Sequence, residues 1–334
     1  KGCIYDAWTE FFNYEAWMET MEENGLDYHF YTTRKRELDE FFPWDFIDIG
    51  VTKEFLKREW NNAMAEKVTP NCRQKCSGCG AMKVRVKWTK TGVLKFIGHL
   101  DVQRYFQKAL MRAELPVSFS KGMSPHQIMS FAAPLGLGMT SEGEYADISF
   151  DWTYSSEEML SRINAVMNEG ISVLEFKEID EKEKNCMAVT AAADYLVTFR
   201  EGYYYKDAFL KRTQPFSMQE KIPIVKKTKR SEKEVDIAPM ILDIREYESE
   251  PLLPGLPLKQ EGIFMKLVTG SAENLKPQLV MEAFCKYLGY DYDPMGFQYH
   301  RLETYLKKDG ELQPLGSVGW EITEEKHPDE EQKN

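Results

Sequence analysis

The chain has 334 residues, of which 43% are hydrophobic and 13% aromatic, so it can bury the cores of two or three domains. Its net charge of −11 excludes a protein whose whole surface binds polyanions. The excess of acidic residues lies in residues 1–80 and 309–334. Six cysteines, three of them clustered, do not form a secreted disulfide framework, and no apolar run reaches the roughly 18 residues that span a bilayer. These features predict a cytoplasmic protein that does not enter the membrane.

Residues 1–80 predict a helical segment that ends in a cysteine-rich loop. The stretch YEAWMETMEENG spaces its large apolar residues as a helix does and ends at Gly25, a residue type that commonly follows a helix. A second helix follows Thr52, with Phe55 and Trp60 on one stripe. The chain begins KGCIYDAW, without methionine and rich in aromatic residues, so we expect an upstream domain against which these side chains pack.

The cysteine-rich loop, NCRQKCSGCG, predicts a metal site formed by Cys72, Cys76 and Cys79. The spacing C-x3-C-x2-C matches the cluster ligands of radical S-adenosylmethionine (SAM) enzymes. Gly78 in place of an aromatic residue, a preceding helix and a following hairpin argue against SAM cleavage by this triplet. CSGCG has the form of a zinc knuckle, and Cys3 is the preferred fourth ligand.

Other donors and another metal remain open at this loop. Cys186, Cys285, a histidine or a carboxylate are alternative fourth ligands, and a 4Fe-4S cluster is the alternative to zinc.

Residues 81–182 and 183–308 each predict the element order βαββαβ. In the first stretch MKVRVKWTK alternates as a half-buried strand with VLKFIG as its hairpin partner, and Ser155 caps a helix with Glu158 placed for a capping box. The second stretch repeats the order of elements without repeating the residues. The fold class is therefore α+β, with two tandem ferredoxin-like (split βαβ) domains. Residues 309–334 are acidic and predict a disordered tail.

Two histidines and two basic stretches are the candidates for chemistry or binding. His99 precedes a helix and would act as acid or base, or merely cap the helix, and His126 lies in the loop FSKGMSPHQIMSF, which suits phosphate contact or an ordinary turn. The stretch KIPIVKKTKRSEKE predicts a basic hairpin that contacts phosphates or simply stays solvated. The candidate substrate-binding or RNA-binding residues are Lys121, Lys226, Lys227, Lys229 and Arg230.

Long stretches of the chain also resemble a known family. Residues 2–60 together with TPNCRQKCSGCG resemble the C-terminal region of cobalamin-binding radical SAM proteins. The stretches KFIGHLDVQRYFQKALMRAELPVSFSKGMSPHQIMSFAAPLGLGMTSEGEYADI and KKTKRSEKEVDIAPMI resemble the radical SAM-associated domain of unknown function that is fused to them. The resemblance implies that SAM and cobalamin bind upstream domains, a radical SAM barrel and a cobalamin domain, which would be the partners of this chain.

The resemblance implies a function that the residues alone do not. The chain would be the substrate-presenting C-terminal part of a cobalamin-dependent radical SAM enzyme, not catalytic alone, with RNA or a ribosome-related component as substrate. Two alternatives stay open: an RNA-binding or RNA-processing module with His99 or His126 as acid or base, and a structural protein-interaction module. The sequence contains no P-loop, hydrolase triad or dinucleotide fingerprint that would decide among them.

Overall fold

The structure is a computed structural model, and it describes residues 2–45, 51, 53–69, 82–120, 124–180, 182–227, 232–248, 261–270 and 273–326. Contacts divide the chain into a unit of residues Lys1–Ile49 and a unit of residues Gly50–Asn334. No helix among the described residues is long and apolar enough to cross a membrane.

The described residues form nine α-helices. They are α1 Tyr14–Glu23, α2 Tyr28–Thr32, α3 Lys53–Met64, α4 His99–Arg112, α5 Ser156–Val166, α6 Cys186–Val189, α7 Lys206–Leu210, α8 Thr213–Ser217 and α9 Pro277–Leu288.

The described residues also form twelve strands. They are β1 Met82–Lys90, β2 Met129–Phe131, β3 Thr140–Phe150, β4 Ile171–Glu178, β5 Thr190–Phe199, β6 Pro223–Lys227, β7 Glu232–Asp236, β8 Ile241–Glu248, β9 Glu261–Val268, β10 Phe297–Lys308, β11 Glu311–Pro314 and β12 Trp320–Glu321. The predicted α+β class is confirmed.

The helices of the N-terminal unit have well-formed ends but no buried residues. Asn13 caps α1 by accepting a hydrogen bond from the Ala16 amide, and Gly25 adopts the left-handed conformation after the helix, as predicted. Asp27 caps α2 in the same way through the His29 amide. Local capping rather than burial therefore defines these helices.

The first half of the sheet, β1 to β4, has the strand order β4-β1-β3 with β2 also on β3, and all these neighbours are antiparallel. Helices α4 and α5 cover one face, where Phe106 and Met159 pack against Val84 and Val86. The Ser155 side chain caps α5 by accepting from the Glu158 amide, which confirms the predicted cap.

The predicted strand VLKFIG is wrong: Gly92–Phe96 forms a 3-10 turn instead. Gly92 has a φ of +58°, a left-handed conformation that turns the chain out of β1. The Thr91 amide donates to the Gly170 carbonyl. Both edges of β1 are occupied by β3 and β4, so the following residues have no free edge to pair with.

The second half, β5 to β10, has the order β10-β5-β9-β8, again with antiparallel neighbours. Helix α9 contributes Phe284 to its core, where the ring lies edge-to-face with Phe209 and tilted against Phe216. The two-stranded sheet of β6 and β7 lies in the chain between α8 and β8.

The two halves join into one sheet because β10 pairs in parallel with β3, at His300↔Thr140 and Arg301↔Ser141. The chains approach closely here: a Cβ added to Gly143 would lie 2.5 Å from the Glu303 Cα. Lys87 in the first half also forms an ion pair of 2.8 Å with Glu303. The boundary predicted between residues 182 and 183 lies in the connection between β4 and α6, and the strands on its two sides join one sheet.

The polar side of β1 is not a solvated surface. Arg85 is buried and forms two hydrogen bonds with Asp147, at 2.8 and 3.0 Å, while Asp147 also accepts from the Cys186 amide. Residues near the C-terminus cover this side, since Leu315 is fully buried and its carbonyl accepts from Arg85.

The segment after residue 309 differs from the predicted disordered tail. Strand β11 pairs with β10 and strand β12 pairs with β4. Ile322 is buried in the first core, and the Lys326 ammonium lies 2.8 Å from Glu178. Strand pairing, the burial of Ile322 and this ion pair order the acidic segment as far as residue 326. Residues 327–334 lie outside the described residues.

Candidate functional site

Polar side chains lie buried at one end of the first core. In β1 the residues Val84, Val86, Trp88 and Lys90 alternate onto the helix-covered face, so Lys90 occupies a position that the pattern would give to an apolar residue. Glu144 of β3 stands opposite Trp88 in the ladder. Lys90 is only 1% exposed, which places a cationic group inside the protein.

These residues line a small cavity with room for about 10 Å³, roughly one water molecule. His99, the first residue of α4, lies on the wall, with its ring 5.4 Å from that of Phe131 in an edge-to-face arrangement. The lining residues are Trp88, Lys90, His99, Val102, Phe131, Ala133, Leu135 and Glu144. We refer to this as the Lys90 cavity.

Glu144, the acidic residue of the Lys90 cavity, pairs with an arginine from the second half of the sheet. Arg301 of β10 contacts Glu144 at 2.9 Å, and it also donates to the Ala133 carbonyl and the Tyr195 hydroxyl. The Lys90 ammonium donates to the Ile97 carbonyl at 2.8 Å. The cavity is therefore held by residues of both halves, beside the β3–β10 pairing.

The cavity lowers the proton affinity of its two basic groups. Burial lowers the pKa of Lys90 below its ordinary 10.5, and Glu144 opposes this effect. Burial also lowers the pKa of His99 below 6.5; Glu144 opposes the change and Lys90 adds to it. His99 is thus mainly neutral at pH 7, with one ring nitrogen able to accept a proton or a hydrogen bond.

The second predicted histidine lies in a separate, solvent-facing loop. The His126 ring nitrogen Nδ1 is 2.7 Å from the Ser120 hydroxyl, whose oxygen also accepts from the His126 amide. A bridge between Phe119 and Gln127 closes this loop. Lys121, predicted beside it, lies outside the described residues.

The predicted basic hairpin is present in backbone form as β6 and β7. Lys226 and Lys233 are opposite one another in the ladder, and Lys227 is opposite Glu232. Lys229 and Arg230 stand in the sequence between the two strands and lie outside the described residues. The hairpin thus concentrates lysine positions at its tip.

The predicted metal ligands divide between described and undescribed residues. Cys72, Cys76 and Cys79 lie outside the described residues, whereas Cys3 is exposed with a free thiol. Within the described ranges no group of three or more His, Cys, Asp or Glu side chains has the geometry of a metal site.

Two alternative fourth ligands lie inside the sheet cores. Cys186 and Cys285 are buried, and burial raises the pKa of both thiols, that of Cys285 to about 11. This disfavours the thiolate form that a metal requires.

A second candidate surface lies in the N-terminal unit, where many large apolar side chains face solvent. Trp8 is 60% exposed and Phe41 is 80% exposed. We call the whole set the aromatic surface, and its members are Ile4, Tyr5, Trp8, Phe11, Phe12, Tyr14, Trp17, Leu26, Phe30, Tyr31, Leu38, Phe41 and Trp44. The exposure of so many large apolar side chains within one short stretch of chain favours an interaction site.

Sequence reasoning found His99 but missed the groups that surround it. Lys90 carried a usable signal, because every second residue of VRVKWTK is apolar until Lys90 interrupts the alternation. Glu144 interrupts the same alternation in EYADISF. Arg301 interrupts the buried alternation of Phe297 and Tyr299 in the same way, but its partners Glu144 and Ala133 are about 160 residues away in the sequence and could not be identified from local pattern.

Comparison with known proteins gives a family for this chain. The family model described as "Uncharacterized protein conserved in bacteria (DUF2344)" matches residues 83–277, more than half of the chain. The match includes the Lys90 cavity residues of β1, α4 and β3 and the β6–β7 hairpin. No curated protein matches the chain.

Proposed function

The chain belongs to the DUF2344 family of bacterial proteins, and on that premise we propose that it presents a substrate to a cobalamin-dependent radical SAM enzyme. In this proposal the chain is not catalytic alone. The aromatic surface binds the radical SAM barrel and its cobalamin domain. The unit of residues Gly50–Asn334, which we call the sheet unit, holds the substrate, an RNA or a ribosome-related component.

The observation that carries this proposal is the exposure of the aromatic surface. Helices α1 and α2 contain no buried residue, although Trp17, Phe30 and Tyr31 are large apolar side chains within them. Burying such a side chain contributes about 1.5–3 kcal/mol, so a partner that covers several of them would bind with substantial free energy. The resemblance of residues 2–60 to the region that follows a radical SAM barrel identifies the partner we propose.

We further propose that each half of the sheet is a ferredoxin-like unit. In each half the first strand lies between the fourth and the third, and the second lies on the outer side of the third. This order, with antiparallel neighbours throughout, is that of a split βαβ fold. The proposal treats α7 and α8 as the helical connection between the first and second strands of the second unit, and β6 and β7 as an insertion after them.

The β6–β7 hairpin supports RNA as the substrate class. Lys226 is opposite Lys233 in the ladder of β6 and β7. Residues of like charge at opposite positions destabilise a strand pair. A phosphate backbone beside these positions would relieve this repulsion.

Salt-dependent RNA binding tests this part of the proposal. We expect Lys226→Glu with Lys227→Glu to weaken binding of single-stranded RNA at low salt and to flatten its salt dependence. Lys307→Glu with Lys308→Glu, a charge-matched change on the β10–β11 hairpin, is the control. Equal binding by both double variants would refute an RNA contact at this hairpin.

We propose that the cysteine-rich loop holds zinc, or alternatively a 4Fe-4S cluster, through Cys72, Cys76, Cys79 and Cys3. Metal analysis of anaerobically purified protein distinguishes these. One zinc per chain and no absorption near 400 nm supports the zinc site, and a brown protein with iron supports the cluster. Loss of neither metal in Cys76→Ser would refute the ligand assignment.

A second function, acid–base chemistry on RNA, is favoured by one observation, the position of His99 beside Lys90 and Glu144 on the cavity wall. Cleavage of RNA by the purified chain that disappears in His99→Ala and persists in His126→Ala would establish it. Absence of cleavage leaves the presenting role as the stronger proposal.

A further inference from the structure

The Lys90 cavity contains hydrogen-bond donors that the described protein does not satisfy. Trp88 is 3% exposed, and its Nε1–H has no partner among the described residues. Leaving a buried donor unpaired destabilises a protein, and native structures rarely keep one without a reason. Trp88 lines the same cavity as Lys90, so both residues border one space that an acceptor could enter.

The charges around the cavity leave one cation without an acid of its own. Glu144 is engaged by Arg301 at 2.9 Å. Among the residues that the structure describes, Lys90 has one hydrogen bond, to the neutral Ile97 carbonyl, whereas an ammonium carries three N–H donors. Because buried charges are normally paired, the deficit is one negative charge.

Four exposed apolar side chains, which we call the rim residues, lie on the segments that supply or adjoin the lining residues of the cavity. Val93 and Phe96 lie in the turn Gly92–Phe96, Leu100 follows His99 in α4, and Leu137 lies in the loop that supplies Ala133 and Leu135 to the cavity. All four are at least 66% exposed. The Gly138 amide donates to the Lys95 carbonyl at 2.9 Å, which holds the loop against the turn.

We propose that the Lys90 cavity binds the carboxylate of a small organic acid whose apolar body covers the rim residues Val93, Phe96, Leu100 and Leu137. One carboxylate oxygen enters the cavity and accepts from Lys90 and Trp88. Room for about one water-sized group suits a single oxygen and excludes a whole phosphate. An apolar rim favours a hydrocarbon body over a hydrated one.

This inference rests on the cavity alone and is independent of the radical SAM and RNA proposals. Calorimetric titration with benzoate tests it, with acetate, benzyl alcohol and inorganic phosphate as comparison probes. We expect benzoate to bind more tightly than any of the three, because acetate lacks the body, benzyl alcohol lacks the charge and phosphate does not fit.

Substitutions locate the binding. Lys90→Met keeps the volume and removes the donor, and we expect it to weaken benzoate about tenfold or more; Trp88→Phe removes only the N–H and should weaken it about threefold. Lys108→Met, at an exposed position of the same α4 helix, is the control and should bind as the wild type does.

A variant at an exposed rim residue keeps the proposal testable if the variants at buried Lys90 and Trp88 fail to fold. Phe96→Ala changes a side chain that is 67% exposed and should weaken benzoate while leaving acetate unchanged. The proposal is overturned if the wild type fails to bind benzoate at up to about 10 mM. It is equally overturned if folded Lys90→Met binds benzoate normally, or if Phe96→Ala does.

Discussion

The sheet unit and the N-terminal segment both carry many large aromatic side chains, and they place them in opposite environments. In the sheet unit Phe106, Phe209 and Phe284 are almost completely buried. In residues 2–45 Trp8, Phe41 and their neighbours face solvent. The helices there have capped ends but contain no buried residues. The difference shows that aromatic content alone does not identify a core, because the chain must also supply a second layer to cover it.

The largest expected effect is the loss of a core aromatic ring. Phe284 is fully buried, with its ring 4.7 Å from that of Phe216 and 5.6 Å from that of Phe209. We expect Phe284→Ala to lower the free energy of unfolding by about 3–5 kcal/mol, measured by urea denaturation. A loss below about 1 kcal/mol would contradict the packing of the second core.

A comparable effect is expected where the sheet unit buries charge. Asp147→Asn leaves Arg85, which is 2% exposed, without its ion-pair partner, and we expect a loss of about 3–5 kcal/mol. Glu158→Gln breaks a pair with Arg162 that is open to solvent and should cost about 0.5 kcal/mol or less. Equal effects in urea denaturation would show that Arg85 reaches water.

A smaller effect is expected at the junction of the halves. Gly143→Ala places a Cβ 2.5 Å from Glu303 Cα and 2.6 Å from the Leu302 carbonyl oxygen, both in the backbone. We expect the strands to separate locally, at a cost of about 1–3 kcal/mol. Gly310→Ser, with open space around its Cβ but a φ of +89°, separates steric contact from backbone strain. If Gly143→Ala melts at the wild-type temperature, the parallel pairing is not formed.

Local elements follow from the sequence, whereas the assembly of the sheet does not. The Ser155 cap and the Gly25 helix end are set by neighbouring residues and were predicted correctly. The strand predicted for VLKFIG, residues 93–98, was wrong because its formation depended on a free edge of β1, which β4 occupies about 80 residues later in the sequence. The β3–β10 pairing joins residues about 160 apart, and local pattern contains no information about it.

The candidate site divides in the same way. His99 was found from its residue type, and the buried Lys90 and Glu144 could have been found from the strand parity they interrupt. Arg301 required the tertiary structure. The tail through residue 326 was misassigned because its acidic composition conceals a few buried apolar residues, among them Leu315 and Ile322.

A pH effect is also expected in the sheet unit, at the pairing of the two halves. Burial lowers the pKa of His300 below 6.5, and Glu142 opposes this shift. Protonation therefore favours the unfolded chain, so this contribution to stability is complete above pH 6.5 and is lost as pH falls below it. His300→Gln, which can keep the hydrogen bond to Thr140, should reduce the fall in the free energy of unfolding between pH 7 and 5. An unchanged slope would show that His300 is solvated.

The smallest effect on stability is expected in the aromatic surface. Phe41 is 80% exposed, so Phe41→Ala should change the free energy of unfolding by no more than about 0.5 kcal/mol. The same substitution chemistry at Phe284 costs several times more, which makes the two variants a matched pair. A large loss at Phe41 would mean that this region has a core of its own.

The most direct test of the central claim is the affinity of the chain for a cobalamin-binding radical SAM barrel of the family that residues 2–60 resemble. Sedimentation of the two purified proteins measures it. We predict a complex that Trp8→Ser with Phe41→Ser weakens by at least about tenfold, while Met218→Ser, an exposed apolar change in the sheet unit, leaves it intact. Failure of the wild-type chain to bind, or equal binding by both variants, would contradict the docking role of the aromatic surface.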